Sequence, residues 1–519
     1  MRDPETAAYP ALRGHSSAPG PGLAREIVAF TRGTARRYNR TRSALRDVLL
    51  DVYSTVLALG CVAAIAVSFV LALRDQIAGR GVVDRSLVDG RWQVLPAEVL
   101  WVLLTYAGLV SLAVLARRLG PVTASPAEAV WWLPLPVDRR LFVLPAFVRR
   151  TLASGLAAAV AYLPFSVLTA LDRQAAGHLL AAATFGMVAI IAVAGAAVLQ
   201  LTPQQHRPGR CALLLACLLP GSVLPFVAPA IWPPLAALAA AIGLLAYIAP
   251  RAGTVPGADL TRGGAVSGHV HASLFFLEAN ELHRALAVEP RGARQRRWGA
   301  GFHAKPVRGA FHALVRADVV AFFRLRPPLA GPLLSLAACV GVVLIHPALP
   351  ALLQIAVMVI AGCATAAGSG RVIRRTALIP ELDALVPLAP WLVRLSRLVM
   401  PAVASALWMG GLTGILAALG AAGPLLVPLG VAAGAGMGAG TLRAATRPAA
   451  DWSRPPVETP FGPVPRDQLS TLLRGTDLTV LVMVPVMLAL YLGTVHLWLV
   501  LAQVALSAGA LAFQIRLAR

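Results

Sequence analysis

Charge and lysine are both scarce in this sequence. Of its 519 residues 13% are charged, about half the share found in soluble domains, while 58% are hydrophobic and the mean hydropathy is +0.72. A chain of this length cannot form a hydrated surface with so little charge. We therefore predict an all-α integral membrane protein, because helices satisfy their own backbone hydrogen bonds in lipid.

Catalytic and metal-binding motifs are missing as well. Lys305 is the one lysine and proline follows it, so the phosphate-binding pattern G-x-x-x-x-G-K-[ST] does not occur. The H-E-x-x-H and G-x-S-x-G patterns are absent, and the five cysteines show no C-x-x-C spacing. His269 and His271 form H-x-H without a third ligand nearby. We predict no cofactor, no metal and no catalytic residue.

Basic residues outnumber acidic ones by 46 to 23. Nucleic-acid-binding proteins can have such an excess, but here the arginines cluster at the ends of apolar runs and no aromatic residues are interleaved with them. We predict that this charge faces the surface of a lipid membrane and that nucleic acid is not a partner.

Twelve apolar runs have about the length that a membrane-spanning helix needs. Six lie in each half of the chain, which predicts an internal 6+6 arrangement. The runs are 49–73, 95–116, 150–171, 177–200, 211–228 and 230–250, then 329–346, 348–370, 398–420, 422–441, 476–493 and 495–515.

The placement of arginine predicts the topology. With a cytoplasmic N-terminus, 41 of the 46 basic residues fall on the cytoplasmic side, and a shift by one helix would destroy this asymmetry. Both termini are therefore predicted to be cytoplasmic. The bias toward Ala, Arg, Gly and Pro is typical of a high-GC bacterial genome, so we predict a multi-pass protein of the bacterial plasma membrane.

The chain divides into four predicted parts. They are a basic cytoplasmic segment (1–48), the first six-helix half (49–250), a cytoplasmic linker (251–328) and the second six-helix half (329–519).

Three amphipathic helices are predicted outside the spans. Those at 25–47 and 307–326 are expected to lie in the headgroup region, with arginines toward phosphate. The third is predicted at 269–288.

Two segments that lie about 255 residues apart form an internal repeat. Residues 125–145, here named loop 1, read SPAEAVWWLPLPVDRRLFVLP, and residues 380–401, named loop 2, read PELDALVPLAPWLVRLSRLVMP. Each has an acidic residue near its start, a pair of prolines, two arginines and a closing proline that opens the next apolar run. Both are too polar to cross a bilayer.

Glycines at helical spacing mark one pair of helices. Gly410 and Gly414 lie in the ninth apolar run, and Gly430, Gly434 and Gly438 lie in the tenth. Small residues on one helix face let two backbones approach closely. The ninth and tenth helices are therefore predicted to pack tightly.

Acidic residues, arginine and lysine are absent from the middle of every predicted span. Carriers that are coupled to an ion or a proton need such groups, because they bind and release the coupling ion within the membrane. We therefore predict that the energy for any transport comes from outside the membrane.

The whole chain resembles the permeases of ABC-2-type exporters, as two permease halves fused in one polypeptide, and is most similar to large actinobacterial membrane proteins of this type. In that family each half begins with an interfacial helix, and an element between the second and third helices docks on the ATPase, often with a sequence like L-P-V-s-R-R. Loop 1 matches it at Leu135, Pro136, Val137, Asp138, Arg139 and Arg140. Loop 2 lacks a counterpart of Asp138 but keeps Pro387, Pro390, Arg394 and Arg397.

The resemblance implies a permease that exports a hydrophobic or amphipathic substrate and is driven by a separate cytoplasmic ATPase, expected as a dimer. ATP binding would close the ATPase on both loops and rock one half against the other. Arg139 and Arg140 are expected to contact acidic residues of the ATPase, while Trp131 and Trp132 anchor loop 1 at the membrane interface.

Two other functions stay open. An integral-membrane enzyme, such as a lipid-linked glycosyltransferase, could use Asp84 or Asp89 in the first outside loop as a base or metal ligand. Alanine at these positions would abolish its turnover and hardly affect a permease. A non-catalytic membrane scaffold would show no transport phenotype on deletion.

Overall fold

The chain is described by a computed structural model in which almost every element is a helix. The described residues are 21–42, 45–78, 86–135, 138–201, 208–227, 230–275, 306–324, 329–346, 349–377, 381, 383, 385–446, 455, 457–459, 462–464 and 475–516.

The first half of the chain contributes nine described helices and the second half eight. The first nine are α1 (Pro21–Arg42), α2 (Leu45–Ala78), α3 (Ala97–Leu119), α4 (Pro126–Trp131), α5 (Arg140–Thr169), α6 (Ala175–Leu201), α7 (Pro208–Val223), α8 (Trp232–Ile248) and α9 (Gly257–Phe275). The other eight are α10 (Ala310–Arg324), α11 (Ala330–Val343), α12 (Ala351–Ser369), α13 (Arg371–Thr376), α14 (Pro390–Ala418), α15 (Leu426–Ala445), α16 (Thr476–Leu492) and α17 (Leu497–Arg516).

Short elements connect some of these helices. Strands β1 (Leu95–Pro96) and β2 (Ile345–His346) form one pair, and β3 (Val457–Thr459) and β4 (Gly462–Val464) form another. Single 3-10 turns are described at Gly90–Trp92, Leu224–Val227 and Ala249–Thr254.

The predicted multi-pass α-helical membrane protein is confirmed at the level of its helices. Among the described residues eight helices are long and apolar enough to cross a membrane: α3, α5, α6, α7, α8, α12, α14 and α17, where α7 and α8 are extended by 3-10 turns. Two more, α11 and α16, are apolar but shorter. These ten, with α2 and α15, coincide with the twelve predicted apolar runs.

Each half is built around its fourth apolar helix. In the first half α6 packs against α3, α5, α7 and α8, and in the second half α15 packs against the corresponding α12, α14, α16 and α17. Two further contacts match, since α2 packs on α5 as α11 packs on α14, and α3 packs on α7 as α12 packs on α16. Others differ, because α12 packs on α11 and α14, and α16 on α17, more extensively than their counterparts do in the first half.

Three of the predicted packing glycines lie where α14 and α15 approach most closely. A Cβ atom on Gly434 would lie 2.4 Å from the carbonyl oxygen of Ser405, and one on Gly438 would lie 2.7 Å from the Cα of Ala402. A Cβ on Gly430 would overlap a threonine side chain of α14. Larger side chains at these positions would force the two helices apart.

The other two predicted glycines contribute less. A Cβ on Gly410 would meet the side chain of Val431, whereas nothing lies within 4 Å of the position for Gly414. Gly414 therefore differs from the expectation, because it faces away from α15. The first half has a matching contact that the sequence did not reveal: Gly155 of α5 and Gly186 of α6 each lie against the other's carbonyl oxygen.

The two halves meet at the strand pair β1–β2. The strands are parallel, with Leu95 opposite Ile345, and each lies between the first and second apolar helices of its own half. Leu100 of α3 continues this contact in a buried cluster with Val342, Ile345 and Leu349. If a two-fold rotation axis parallel to the strands related the two halves, it would place equivalent segments side by side in the same direction, as in this strand pair.

The other ends of α3 and α12 are near enough for arginines that follow or end these helices to act on each other electrostatically. Burial, together with the positive charges of Arg118 and Arg375, lowers the pKa of Arg371. Arg118 lies in the last turn of α3, and Arg371 follows directly after α12. Helices α3 and α12 therefore run in the same direction, and loops 1 and 2 follow them from the same end of the bundle.

Candidate functional site: the two loops at one end of the bundle

Loop 1 begins with a fixed turn. Ser125 caps the short helix α4, because its hydroxyl accepts a hydrogen bond from the Glu128 backbone N–H and the Glu128 carboxylate accepts one from the Ser125 N–H at 2.7 Å. This reciprocal capping box satisfies two helix-terminal donors, and Pro126 suits the first position of the helix. The acidic residue of the repeat thus holds the start of loop 1 in place.

The two tryptophans of loop 1 have different surroundings. Trp132 packs edge-on against Phe142 of α5, with ring centroids 5.3 Å apart, and borders the buried cluster around Phe147. Trp131 is 72% exposed. The ring of Trp132 therefore joins loop 1 to the protein core, and the anchoring of both tryptophans at the membrane interface stays a prediction.

The two arginines of loop 1 also differ. Arg139 is half-buried and donates a long hydrogen bond of 3.5 Å to the Leu133 carbonyl oxygen. Arg140 is exposed, with its Nε 3.9 Å from Asp138 Oδ1. An exposed pair at this distance is weak, so Arg140 is the arginine more available to a partner. Leu135 is also exposed, while Pro136 and Val137 lie outside the described residues.

Part of the predicted linker packs against the start of loop 1. The helix predicted at 269–288 is described as α9, which begins twelve residues earlier, and 276–288 lie outside the described residues. Gly264 of α9 is so close to loop 1 that a Cβ atom on it would lie 1.7 Å from the Ala124 carbonyl oxygen. The Ala124 N–H donates to the Leu260 carbonyl oxygen. This part of the linker is packed and not a solvated loop.

Loop 2 is described at residues 381, 383 and 385 onward. Leu385 is 79% exposed, Pro387 is exposed, and Pro390 is the first residue of α14. Pro suits this position because its backbone lacks the N–H that would stay unpaired there. Arg394, one turn into α14, donates to the Gln514 carbonyl oxygen at 3.3 Å.

Arg397 is the centre of a buried ion-pair cluster. It lies on α14, is 12% exposed, and donates through Nη1 to Asp318 of α10 and through Nη2 to Asp383 of loop 2 at 2.8 Å. A guanidinium can bind two carboxylates in this way because its donors are held in a rigid plane. Arg397 therefore ties the helix before the second half, loop 2 and the third apolar helix together.

The structure corrects the orientation predicted for α10. Arg316 and Asp318 belong to the polar side of the predicted helix, whose arginines were expected toward lipid phosphate, but the two residues are only 8% and 3% exposed. Asp318 turns inward because Arg397, 79 positions later, offers it an ion pair, while Arg324 of the same helix stays exposed. Burial raises the pKa of Asp318 to about 6, although Arg397 acts in the opposite direction.

Of the two residues considered for an enzyme, only Asp89 lies in the described part of the chain, and it joins no comparable cluster there. Asp89 is exposed, pairs with Arg91 at 3.4 Å and lies beside Gly420, while Asp84 lies outside the described residues. In the described parts of the chain no three His, Cys, Asp or Glu side chains converge as metal ligands would.

A family model matches residues 94–455, described as a family of unknown function, DUF6297. The chain belongs to this family. The matched part includes both loops, the linker between the halves, and the helices from α3 to α15. Neither a curated protein nor a solved structure matches this chain.

Proposed function

We propose that this DUF6297 protein is the transmembrane permease of an ABC-type exporter in a bacterial plasma membrane. It would have twelve spans in two repeated halves, both termini in the cytoplasm, and a separate dimeric ATPase that contacts loops 1 and 2. The observation that carries the proposal is that both loops leave the same end of the bundle, each between the second and third apolar helices of its half.

The packing of the helices supports the repeat. The two central helices, α6 and α15, are surrounded by corresponding neighbours, and α1 packs on α5 as α10 packs on α14. Equivalent segments pair in parallel at β1–β2, which suits two halves with the same orientation across the membrane. An inverted repeat would place the two loops on opposite sides.

Each loop combines a fixed base with an exposed tip. This arrangement suits an element that transmits the movement of the ATPase to the transmembrane helices. The base of loop 1 is held by its capping box, Trp132 and α9, and its tip presents Trp131, Leu135 and Arg140. The base of loop 2 is held by Arg397, and its tip presents Leu385 and Pro387. Both loops continue directly into the third apolar helix of their half, so a force on the tip would move that helix.

The place where the halves meet suits a rocking motion. They are joined by β1–β2 at the end of the bundle opposite the loops, while the like charges of Arg118 and Arg371 act on each other at the loop end. An ATPase that closes on both loops would rotate the halves about the strand pair. A path between them lined by apolar residues would suit a hydrophobic or amphipathic cargo.

Reversing both charges of loop 1 should separate the permease from its ATPase. With Arg139→Glu and Arg140→Glu, an ABC ATPase that co-purifies with the tagged wild-type chain should be recovered about tenfold less or not at all, because attraction to its acidic residues becomes repulsion. Arg140→Glu alone should produce most of this loss, since Arg139 is partly turned toward Leu133.

A matched control reverses two exposed arginines near the same end of the bundle. Arg251→Glu with Arg262→Glu changes the net charge equally, and these side chains lie on the linker side. This variant should keep the ATPase. Equal recovery of the ATPase with both double variants, at equal levels of membrane insertion, would contradict the proposal.

A further inference from the structure

Helices α3 and α12, which run in the same direction, converge at the strand pair and separate toward the loops. Leu104 of α3 and Val357 of α12 both pack against the buried cluster beside β1–β2. Ser111 and Ala364 follow them on the same helix faces, each seven residues or almost two turns further along, and both are exposed. Helices that stayed in contact would cover these faces. An opening between the two halves therefore begins near the strand pair and reaches the loop end.

The walls of this opening, here named the inter-half cleft, are uncharged. They are formed by Ser111 and Leu115 of α3 and by Ile360 and Ala364 of α12, and Leu115 and Ile360 are 38% and 70% exposed. Helix α3 has no charged residue between its first and last turns, and α12 has none at all. Walls of this kind suit an acyl chain and exclude a charged group, which would lose its hydration there.

Arginines from both halves lie at the mouth of the cleft. Arg118 and Arg371 follow Ser111 and Ala364 by another seven residues, so the same number of turns on each helix brings them to the same depth. Arg118 and Arg375 act electrostatically on Arg371, and no acidic residue of the described ranges is among the groups that do so. Arg371 is half-buried and makes no hydrogen bond or ion pair within the described part of the chain. Its charge and its N–H donors are therefore available to an anion.

Orientation in the membrane does not explain this arrangement. Arginines at any position on the cytoplasmic side orient a chain, whereas here residues of two different halves converge at one opening. Converging like charges repel each other, and an anion between them removes that cost. Guanidinium groups bind phosphate oxygens through a rigid fork of N–H donors, and the anionic phospholipids of the cytoplasmic leaflet attract basic groups that lie next to membrane spans.

We propose that the inter-half cleft binds an anionic phospholipid of the cytoplasmic leaflet, with its phosphate between Arg118 and Arg371 and an acyl chain between α3 and α12. The charge at the mouth would select the headgroup, and the uncharged walls would hold the chain. An anionic lipid is then the class of amphipathic cargo that fits the permease. Its role as cargo and its leaflet rest on the function and topology proposed above, whereas its binding does not.

Fluorescence quenching in the purified full-length chain tests the cleft. The five native cysteines are replaced by serine, a bimane fluorophore is attached through Ala364→Cys, and the protein in an uncharged detergent is titrated with phosphatidylglycerol or phosphatidylcholine that carries a nitroxide on an acyl chain. We expect phosphatidylglycerol to reach half-maximal quenching at an about tenfold lower concentration, because only this lipid has a net negative charge. Thermal stabilisation of the unlabelled chain by the same two lipids gives a second measurement that no fluorophore disturbs.

A reporter outside the cleft separates this site from general attraction to a basic protein. Leu156 is 69% exposed and lies near the middle of α5, so a fluorophore attached through Leu156→Cys should be quenched equally by the two lipids. An equally large preference for phosphatidylglycerol at this position would overturn the site.

Removing the two arginines of the mouth should abolish the preference at position 364. The variant is Arg118→Gln with Arg371→Gln. Its matched control, Arg251→Gln with Arg262→Gln, removes the same charge from exposed positions on the linker side and should keep the preference. Equal quenching of the wild type by both lipids at position 364, or a preference that survives the loss of both mouth arginines, would overturn the site. Recovery of the ATPase is measured separately, so either proposal can fail without the other.

Discussion

Arg397→Ala should destabilise the second half by about 3–5 kcal/mol, the usual effect of removing one partner from a buried ion pair. Without the guanidinium, the carboxylates of Asp318 and Asp383 lose the donors that hold them and repel each other. Asp318 is 4% exposed at its side chain, so water cannot replace those donors without opening the contact between α10 and α14. Loop 2 would then lose its attachment at the base.

The measurement is the thermal unfolding midpoint of the detergent-purified protein. The control is Arg394→Ala, one turn earlier on α14, where the removed side chain makes a single hydrogen bond to a carbonyl oxygen and a loss below about 1.5 kcal/mol is expected. Asn at both 318 and 383 should restore much of the stability of Arg397→Ala, because the repulsion disappears. Equal losses for the two arginine variants would show that the cluster is not a structural link.

The loss of stability caused by Arg397→Ala should depend on pH. The folded state raises the pKa of Asp318 to about 6, so this group's contribution to stability is fully present below its unfolded pKa and is lost as the pH rises through about 6. Removal of Arg397 raises that pKa further. The loss caused by Arg397→Ala should therefore be larger at about pH 8 than at about pH 5.5, while the loss for Arg394→Ala should be nearly constant.

Gly264→Ala should separate α9 from loop 1. The added methyl group would lie 1.7 Å from a backbone oxygen of Ala124, and backbone cannot move aside as a flexible side chain can. Overpacking of this kind costs about 1–3 kcal/mol or more. Because α9 supports the base of loop 1, the variant should lose the ATPase as well as stability.

Gly268→Ala is the matched control, one turn further along α9. Its added methyl group would make an ordinary contact of 3.7 Å with Pro126, and alanine favours a helix over glycine by about 1 kcal/mol. This variant should be as stable as the wild type or slightly more stable, and should keep the ATPase. A similar loss in both variants would contradict the prediction, because it would mean that the close contact with Ala124 is not what distinguishes Gly264.

The positions of the helices could be predicted from the sequence better than the directions in which their side chains face. The twelve apolar runs coincide with helices because a run of that length and polarity has few other structures available in lipid. The burial of Arg316 and Asp318 in α10 was not predicted, since the partner of Asp318 is distant in sequence and only the fold brings Arg397 to it. The spacing of residues on one helix cannot identify a partner on another.

The site was predictable in its position but not in the roles of its residues. The repeat located both loops, and the resemblance supplied their proposed partner. The sequence did not distinguish Trp132, which packs on Phe142, from the exposed Trp131, because the two residues are of the same type.

The sidedness of the two loops tests the central claim most directly. In a chain whose five native cysteines are replaced by serine, single cysteines at Ala127 and Leu385 report on loops 1 and 2, and one at Val94 reports on the opposite end. All three positions are exposed. With a membrane-impermeant maleimide, positions 127 and 385 should both react in inside-out vesicles only, and position 94 in right-side-out vesicles only. Reaction of positions 127 and 385 from opposite sides of the membrane would contradict the account.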